Sequence, residues 1–312
     1  MDRLRRTAGH VVVAAAPSPA AEPLVDVSAL PPVESDAHFE TAGWQIHRAV
    51  LDGSLIGEAK QHIQWLTEQH PELRPENFGH TLVADDPFWV RLVSDPRLLE
   101  IATKHIGTDI ALFASHCSYT SNPHHILLGR EFLTDIACDT DIAKPPGDGQ
   151  PVLFHQDGAY WPLEPMEVVT LWLAVDDSDA ENGCMRMIPG THRMDLHEMI
   201  DSDADSVLGS MIKPEVIADI EESALDLVLG AGDVSVHSSA IVHGSHANLS
   251  DRRRGGLTIR YVPTTTEIGP NNQQACFLLQ GSATDGVANT YLERPKYDPA
   301  RHMPFKGCEG WV

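Results

Sequence analysis

Between about residue 109 and residue 265 the chain is cut into short apolar runs with no long helical pattern between them. The runs are "DIALFAS", "PVLFHQ", "EVVTLWLAV", "CMRMI", "LDLVLG", "DVSVHS" and "GLTIRYV". Each is rich in β-branched or aromatic residues and is bounded by Gly, Pro, Asp or Asn, which favour turns. In "GLTIRYV" the alternation is clean: Leu257, Ile259 and Tyr261 share one face, and Thr258 and Arg260 share the other. Many short strands without crossover helices predict a β-sandwich or barrel and exclude a doubly wound sheet. "GAGD" at 230–233 lacks the spacing of a nucleotide-binding loop and is followed by strand-like sequence, so it reads as a tight turn.

Upstream, from about 36 to 108, the texture is helical. "GSLIGEAKQHIQWLTEQH" sets Leu55, Ile56, Ala59, Ile63 and Leu66 at three- and four-residue spacing. "DPRLLEIATKHIG" repeats the pattern, with Asp95 or Pro96 to open the helix and Gly107 to close it. Residues 1–35 read as a flexible, Pro/Ala-rich arm whose VVVAAA run is too short for a signal-peptide core. The acidic stretch 195–224 reads as an insertion or long connection, and 266–312 as a C-terminal extension of one domain covering 36–312.

Charge narrows the partners. A formal net charge of −23 repels phosphate backbones, so a nucleic-acid partner is not expected. No apolar run approaches the ~20 residues of a spanning helix, so no membrane partner is expected. Five scattered cysteines without a CxxC pair argue against a disulfide framework or structural zinc, and fit a reducing, cytoplasmic compartment.

His155 and Asp157, in "FHQDGAYW", stand two residues apart. On an extended strand both would point to one face and reach one metal ion. His243 is the best third ligand. Two histidines and one carboxylate leave three positions open, an arrangement suited to Fe(II) oxygenases. An HxD pair alone is weak evidence in a chain with 17 His and 45 acidic residues. His38-Phe39-Glu40 and His70-Pro71-Glu72 read as surface features. Arg254, entering the next strand, offers a guanidinium that grips a carboxylate through two parallel hydrogen bonds. Arg252 and Arg253 read as a solvated hairpin. His237 reads as packed beside the site, His246 as solvent-facing, and His192 as structural or near the pocket entrance.

The segments "HQDGAYW", "VVTLWLAVDDSDAENGCMRMIPGTH" and "GDVSVHSSAIVHGSHANLSDRRRGGLTIRYV" resemble the phytanoyl-CoA dioxygenase family of Fe(II)/2-oxoglutarate oxygenases, in order and in spacing. The resemblance implies a double-stranded β-helix (a jelly-roll, cupin-like barrel) with N-terminal helices packed on it. It implies that His155, Asp157 and His243 bind Fe(II). Arg254, helped by Ser245, would hold the distal carboxylate of 2-oxoglutarate, with Lys144 and Trp172 near the same pocket. Tyr160 and Trp161 are candidates for the substrate pocket and equally for the core. The expected reaction uses O₂ to hydroxylate, or otherwise oxidise, an unactivated C–H bond of a small molecule, in natural-product or amino-acid-type secondary metabolism. Asp157 disfavours halogenation, since halogenating relatives carry a small residue there. An acyl-CoA would call for a basic patch that this acidic chain lacks outside "DRRRGG". Two alternatives stand beside this reading: a jelly-roll protein that binds metal or a small ligand without turnover, and a metal hydrolase or isomerase that needs no 2-oxoglutarate.

Overall fold

The periodic apolar residues of the N-terminal part form helices because their spacing gives each helix one dry stripe. The computed structural model describes residues 25–77, 85–113, 143–269 and 276–312. Its helices are α1 (Asp36–Ala42), α2 (Gly53–Gln69), α3 (Pro87–Val93), α4 (Pro96–Ile106) and α5 (Pro214–Ala218). In α2 the buried residues include Leu55, Ile56, Ala59, Ile63 and Leu66, the predicted stripe, and Asp52 caps the first turn through Ser54 and Leu55 N–H. Asp95 caps α4 and Gly107 ends it. No helix among the described residues is long and apolar enough to cross a membrane.

The first strands are β1 (Trp44–His47), β2 (Ile110–Leu112), β3 (Ala143–Lys144), β4 (Val152–His155), β5 (Leu163–Glu164), β6 (Val169–Ala174), β7 (Met185–Met187) and β8 (Met199–Asp201). The rest are β9 (Ser210–Ile212), β10 (Leu225–Asp226), β11 (Val234–Ser238), β12 (His243–Ser245), β13 (Arg254–Pro263), β14 (Glu267–Ile268) and β15 (Phe277–Gln280). Each of the seven predicted runs holds a strand (β2, β4, β6, β7, β10, β11 and β13), and further strands lie outside them. A seven-stranded antiparallel sheet runs β1-β11-β6-β13-β2-β15, with β3 added to the start of β13. A four-stranded sheet runs β10-β7-β12-β4. Two antiparallel sheets with these crossovers make the double-stranded β-helix that the strand pattern and the resemblance imply.

Strand alternation divides the larger sheet into two chemistries. Leu171, Leu173, Val236, Leu257, Ile259 and Tyr261 point outward into one apolar cluster with α2, α3 and α4. Each such side chain, fully buried, contributes about 1.5–3 kcal/mol of transfer free energy. Trp172 and Ala174 point inward, toward Met185, Met187 and Ile241 of the smaller sheet. The site lies on this inner side.

Several boundaries differ from those read off the sequence. The helical part contains β1, which pairs with β11 as the edge of the larger sheet. The stretch 25–35 is packed, not free: Leu30 and Val33 rest on the inter-sheet cluster, and Ile46 N–H donates to Val33 C=O at 2.9 Å. Residues 1–24 of the proposed arm lie outside the described residues. His38 is buried, not superficial; its Nδ1 bonds Pro31 C=O at 2.7 Å and its ring meets the Trp44 edge. His70 and Glu72 do sit at the surface, 3.4 Å apart. The connection 195–224 holds the β8–β9 hairpin and α5. "GAGD" is a tight turn closed by Asp233 N–H on Gly230 C=O, with Gly232 at φ +92°. Cys184, Cys276 and Cys308 are free thiols, and no disulfide occurs among the described residues.

Candidate metal centre

His155 ends β4 and His243 begins β12, and the two are directly paired across the smaller sheet. Their rings stand 4.2 Å apart, centroid to centroid. Each ring bonds the carbonyl two residues earlier in its own chain: His155 Nδ1 to Leu153 C=O at 2.9 Å, His243 Nδ1 to Ile241 C=O at 3.1 Å. A carbonyl only accepts, so Nδ1 carries the proton and Nε2 presents its lone pair to the centre. These are the bonds that fix a ligating tautomer, and the sequence could not name their acceptors.

Asp157 departs from the expected geometry. It does not share a strand with His155; the chain turns at Gln156, and Asp157 opens a 3₁₀ turn, Asp157–Tyr160. The carboxylate still reaches the same point, with Oδ1 3.5 Å from His155 Nε2 and 3.9 Å from His243 Nε2. The turn also frees Gln156 to face away, where it donates to Ala240 C=O at 2.7 Å and accepts from His197 N–H at 2.8 Å. One ligand atom from each of His155, Asp157 and His243 lies within 4.8 Å of the others, and all three residues are buried.

The electrostatics suit a divalent cation. Burial alone would raise the Asp157 carboxyl, but the Arg260 guanidinium and the neighbouring imidazoles outweigh it and hold the group well below its ordinary value. Burial, helped by His155, pushes His243 down to about 3, so its imidazole is neutral. Two imidazole nitrogens and one carboxylate oxygen are the donor set that non-haem Fe(II) takes.

Beside this centre lies a cationic pocket. Arg254 opens β13 and pairs with Lys144 of β3. Both are fully buried. Lys144 Nζ donates to Ser245 Oγ at 2.7 Å and to His246 C=O at 2.8 Å. The Arg254 guanidinium lies over the Trp172 ring at 5.3 Å. Arg254, Ser245 and Trp172 line one cavity together with His155, Asp157 and His243. Two cations, a hydroxyl and an aromatic wall beside a metal-ligand set fit a dicarboxylate cosubstrate such as 2-oxoglutarate.

The remaining predicted residues fall into two groups. Tyr160 bonds Ser210 Oγ at 2.8 Å and so ties the metal turn to the β8–β9 hairpin. Trp161 is buried against Phe113 and carries the Arg260 guanidinium over its ring at 5.1 Å. Arg252 and Arg253 are not merely solvated: Arg252 pairs with Asp179 at 2.8 Å and Arg253 with Asp176 at 2.7 Å. His246 is exposed, and His192 contacts Glu40 C=O at 3.3 Å, away from the cavity. The sequence also offers "SNPHHILLGREFLTD", residues 121–135, as a pocket wall, and this stretch lies outside the described residues. Sequence reasoning missed Arg260 as a site residue, although it shares the inward face of β13 with Arg254. A strict two-residue count from Arg254 through Gly256 and Thr258 would have placed it there.

Comparison with known proteins agrees with this geometry. Phytanoyl-CoA dioxygenase domain-containing protein 1 of Bos taurus is 29% identical over 206 residues, which cover 65% of this chain and 62% of the relative. The match thus spans less than two thirds of that relative's length. Among solved structures, the apo form of the non-heme monooxygenase ThoJ superposes with a TM-score of 0.62 at 22% identity, over 83% of this chain and 88% of that one. The epimerase SnoN, in complex with Fe3+, alpha ketoglutarate and nogalamycin RO, superposes with a TM-score of 0.53 at 19% identity, over 83% of this chain and 92% of its own. Both likenesses establish the fold. The family model Phytanoyl-CoA dioxygenase (PhyH) matches residues 72–256, more than half of the chain and all of His155, Asp157, His243 and Arg254, so the chain belongs to the phytanoyl-CoA dioxygenase family.

Proposed function

We propose that this protein is an Fe(II)- and 2-oxoglutarate-dependent dioxygenase that oxidises an unactivated C–H bond of a small molecule. The reading is carried by one observation: the convergent His155, Asp157 and His243 ligand atoms open onto the same cavity as the buried Arg254. His155, Asp157 and His243 would hold the iron. Arg254 would bind the far carboxylate of 2-oxoglutarate, with Ser245 and Lys144 completing the anion pocket and Trp172 fixing the guanidinium plane. Bound iron with its cosubstrate supplies the power to activate O₂, which no amino-acid side chain has. The chain's own work is to keep both imidazoles in the Nε2-ligating tautomer, to hold Asp157 ionised, and to shield the centre from bulk water. Residues 36–312 would act as one oxygenase domain, with Tyr160, Trp161 and the β8–β9 hairpin bordering the substrate side. Hydroxylation of a natural product or amino-acid-type metabolite in the cytoplasm is the outcome we favour.

The test needs no substrate. Anaerobic protein with Fe(II) and 2-oxoglutarate should show a weak visible charge-transfer band, and Arg254→Ala should raise the 2-oxoglutarate concentration needed for it by ~10-fold or more, since the variant leaves a buried carboxylate unpaired. Bound iron without a band would sink the oxygenase reading and favour a hydrolytic or non-turnover barrel.

A further inference from the structure

Three adjacent strands present a polar row to Asp157. His237 of β11 is paired with Thr170 of β6, and Thr170 with Arg260 of β13. Residues in register across neighbouring strands share a face, and this row faces inward. Its contacts distinguish the two carboxylate oxygens. Oδ1 faces His155 Nε2 at 3.5 Å, His243 Nε2 at 3.9 Å and Arg260 Nη2 at 3.6 Å. Oδ2 instead accepts from Thr170 Oγ1 at 3.4 Å and lies 3.9 Å from His237 Nε2.

His237 is the unexplained member. It is 1% exposed, lines the cavity, and neither ring nitrogen has a hydrogen-bond partner among the described residues. Burying an imidazole unbonded is unfavourable, and a leucine or phenylalanine would fill the same space without that cost. Its ring also stands 5.0 Å from that of His243, so it belongs to the centre and not to the apolar core.

We propose that His237 is a positioning residue for the metal-binding carboxylate: its Nε2–H, with Thr170, holds Asp157 Oδ2, so that Oδ1 alone is presented to the metal. A carboxylate held this way binds through one oxygen and leaves the remaining coordination positions clear for cosubstrate. The inference rests on the metal-site reading above and adds a residue to it. The role needs a ring N–H on Nε2, the nitrogen that faces Asp157.

Metal binding tests it without turnover. The metal-free protein is titrated anaerobically with Co(II), and the d–d bands report affinity and coordination. His237→Phe, which keeps a planar ring of somewhat larger size but has no donor, should lose affinity by on the order of 10-fold or more and alter the bands, as removal of an outer hydrogen-bond partner does elsewhere. His237→Gln, whose amide reaches the Nε2 position, should stay close to the parent. Thermal unfolding of the metal-free variants checks the fold. Should the Phe variant not fold, His237→Asn replaces it, because its amide sits at the Nδ1 position and falls short of Oδ2. Parent-like affinity and bands in the Phe or Asn variant would overturn the proposal, as would an equal loss in the Gln variant. Asp157→Ala separates the two readings: parent-like Co(II) binding there would remove the metal site itself.

Discussion

Arg254 shows how much a single residue's role depends on its neighbours. Its place at the start of a strand is legible in the sequence; the fold laid its guanidinium on Trp172 and set Lys144 across from it. Gly256, two residues on, is what permits this. A Cβ built there would collide with the Trp172 indole, although the backbone itself tolerates any residue. Gly256→Ala should therefore push the indole aside, destabilise the fold by about 1–3 kcal/mol, and weaken 2-oxoglutarate binding at the same time. Denaturant unfolding and the charge-transfer titration measure the two effects. Loss of stability with unchanged binding would separate Trp172 from the anion pocket. This dependence was hidden in the sequence, because a glycine's use is set by what stands opposite it.

At the scale of elements, β13 was readable in advance. Its alternation assigned Leu257, Ile259 and Tyr261 to an apolar face, and they do pack against the helices. The Tyr261 hydroxyl even donates to Val93 C=O at the end of α3, at 2.7 Å. The metal turn was less readable. The spacing of His155 and Asp157 suits one strand, but period-two reasoning holds only while the strand continues, and here it stops at His155. The break gives Gln156 its own task of clamping the connection after β7 onto the site, through Ala240 C=O and His197 N–H. Gln156→Leu should cut both bonds and leave those backbone groups unpaired. Limited proteolysis should then cut the segment 195–213 several-fold faster, in keeping with about 1–3 kcal/mol lost per buried unsatisfied group. An unchanged cleavage rate would show that Tyr160 and the apolar contacts hold the segment alone.

For the whole molecule, buried and half-buried histidines set the acid limit. Burial holds His62, His105 and His192 below their ordinary value, and takes His243 to about 3. Each binds its proton more readily in the unfolded chain, whose value is 6.5. Stability they contribute is thus complete above about pH 6.5 and falls as pH drops toward their folded values. The metal-free protein should lose melting temperature steadily from pH 7 to pH 5; a flat profile would contradict the burial of these rings. What the sequence determined by itself was what repeats or matches locally: the amphipathic helices, the alternating strands, the order of His155, Asp157, His243 and Arg254, and the family they resemble. What only the tertiary structure decided was which distant groups meet. Leu153 and Ile241 carbonyls set the two tautomers, Arg260 and His237 face Asp157, and Lys144 bonds Ser245. The physical reason is that periodicity fixes which face a side chain takes, while strand register and turn geometry, settled by packing of the whole chain, fix what lies across from it.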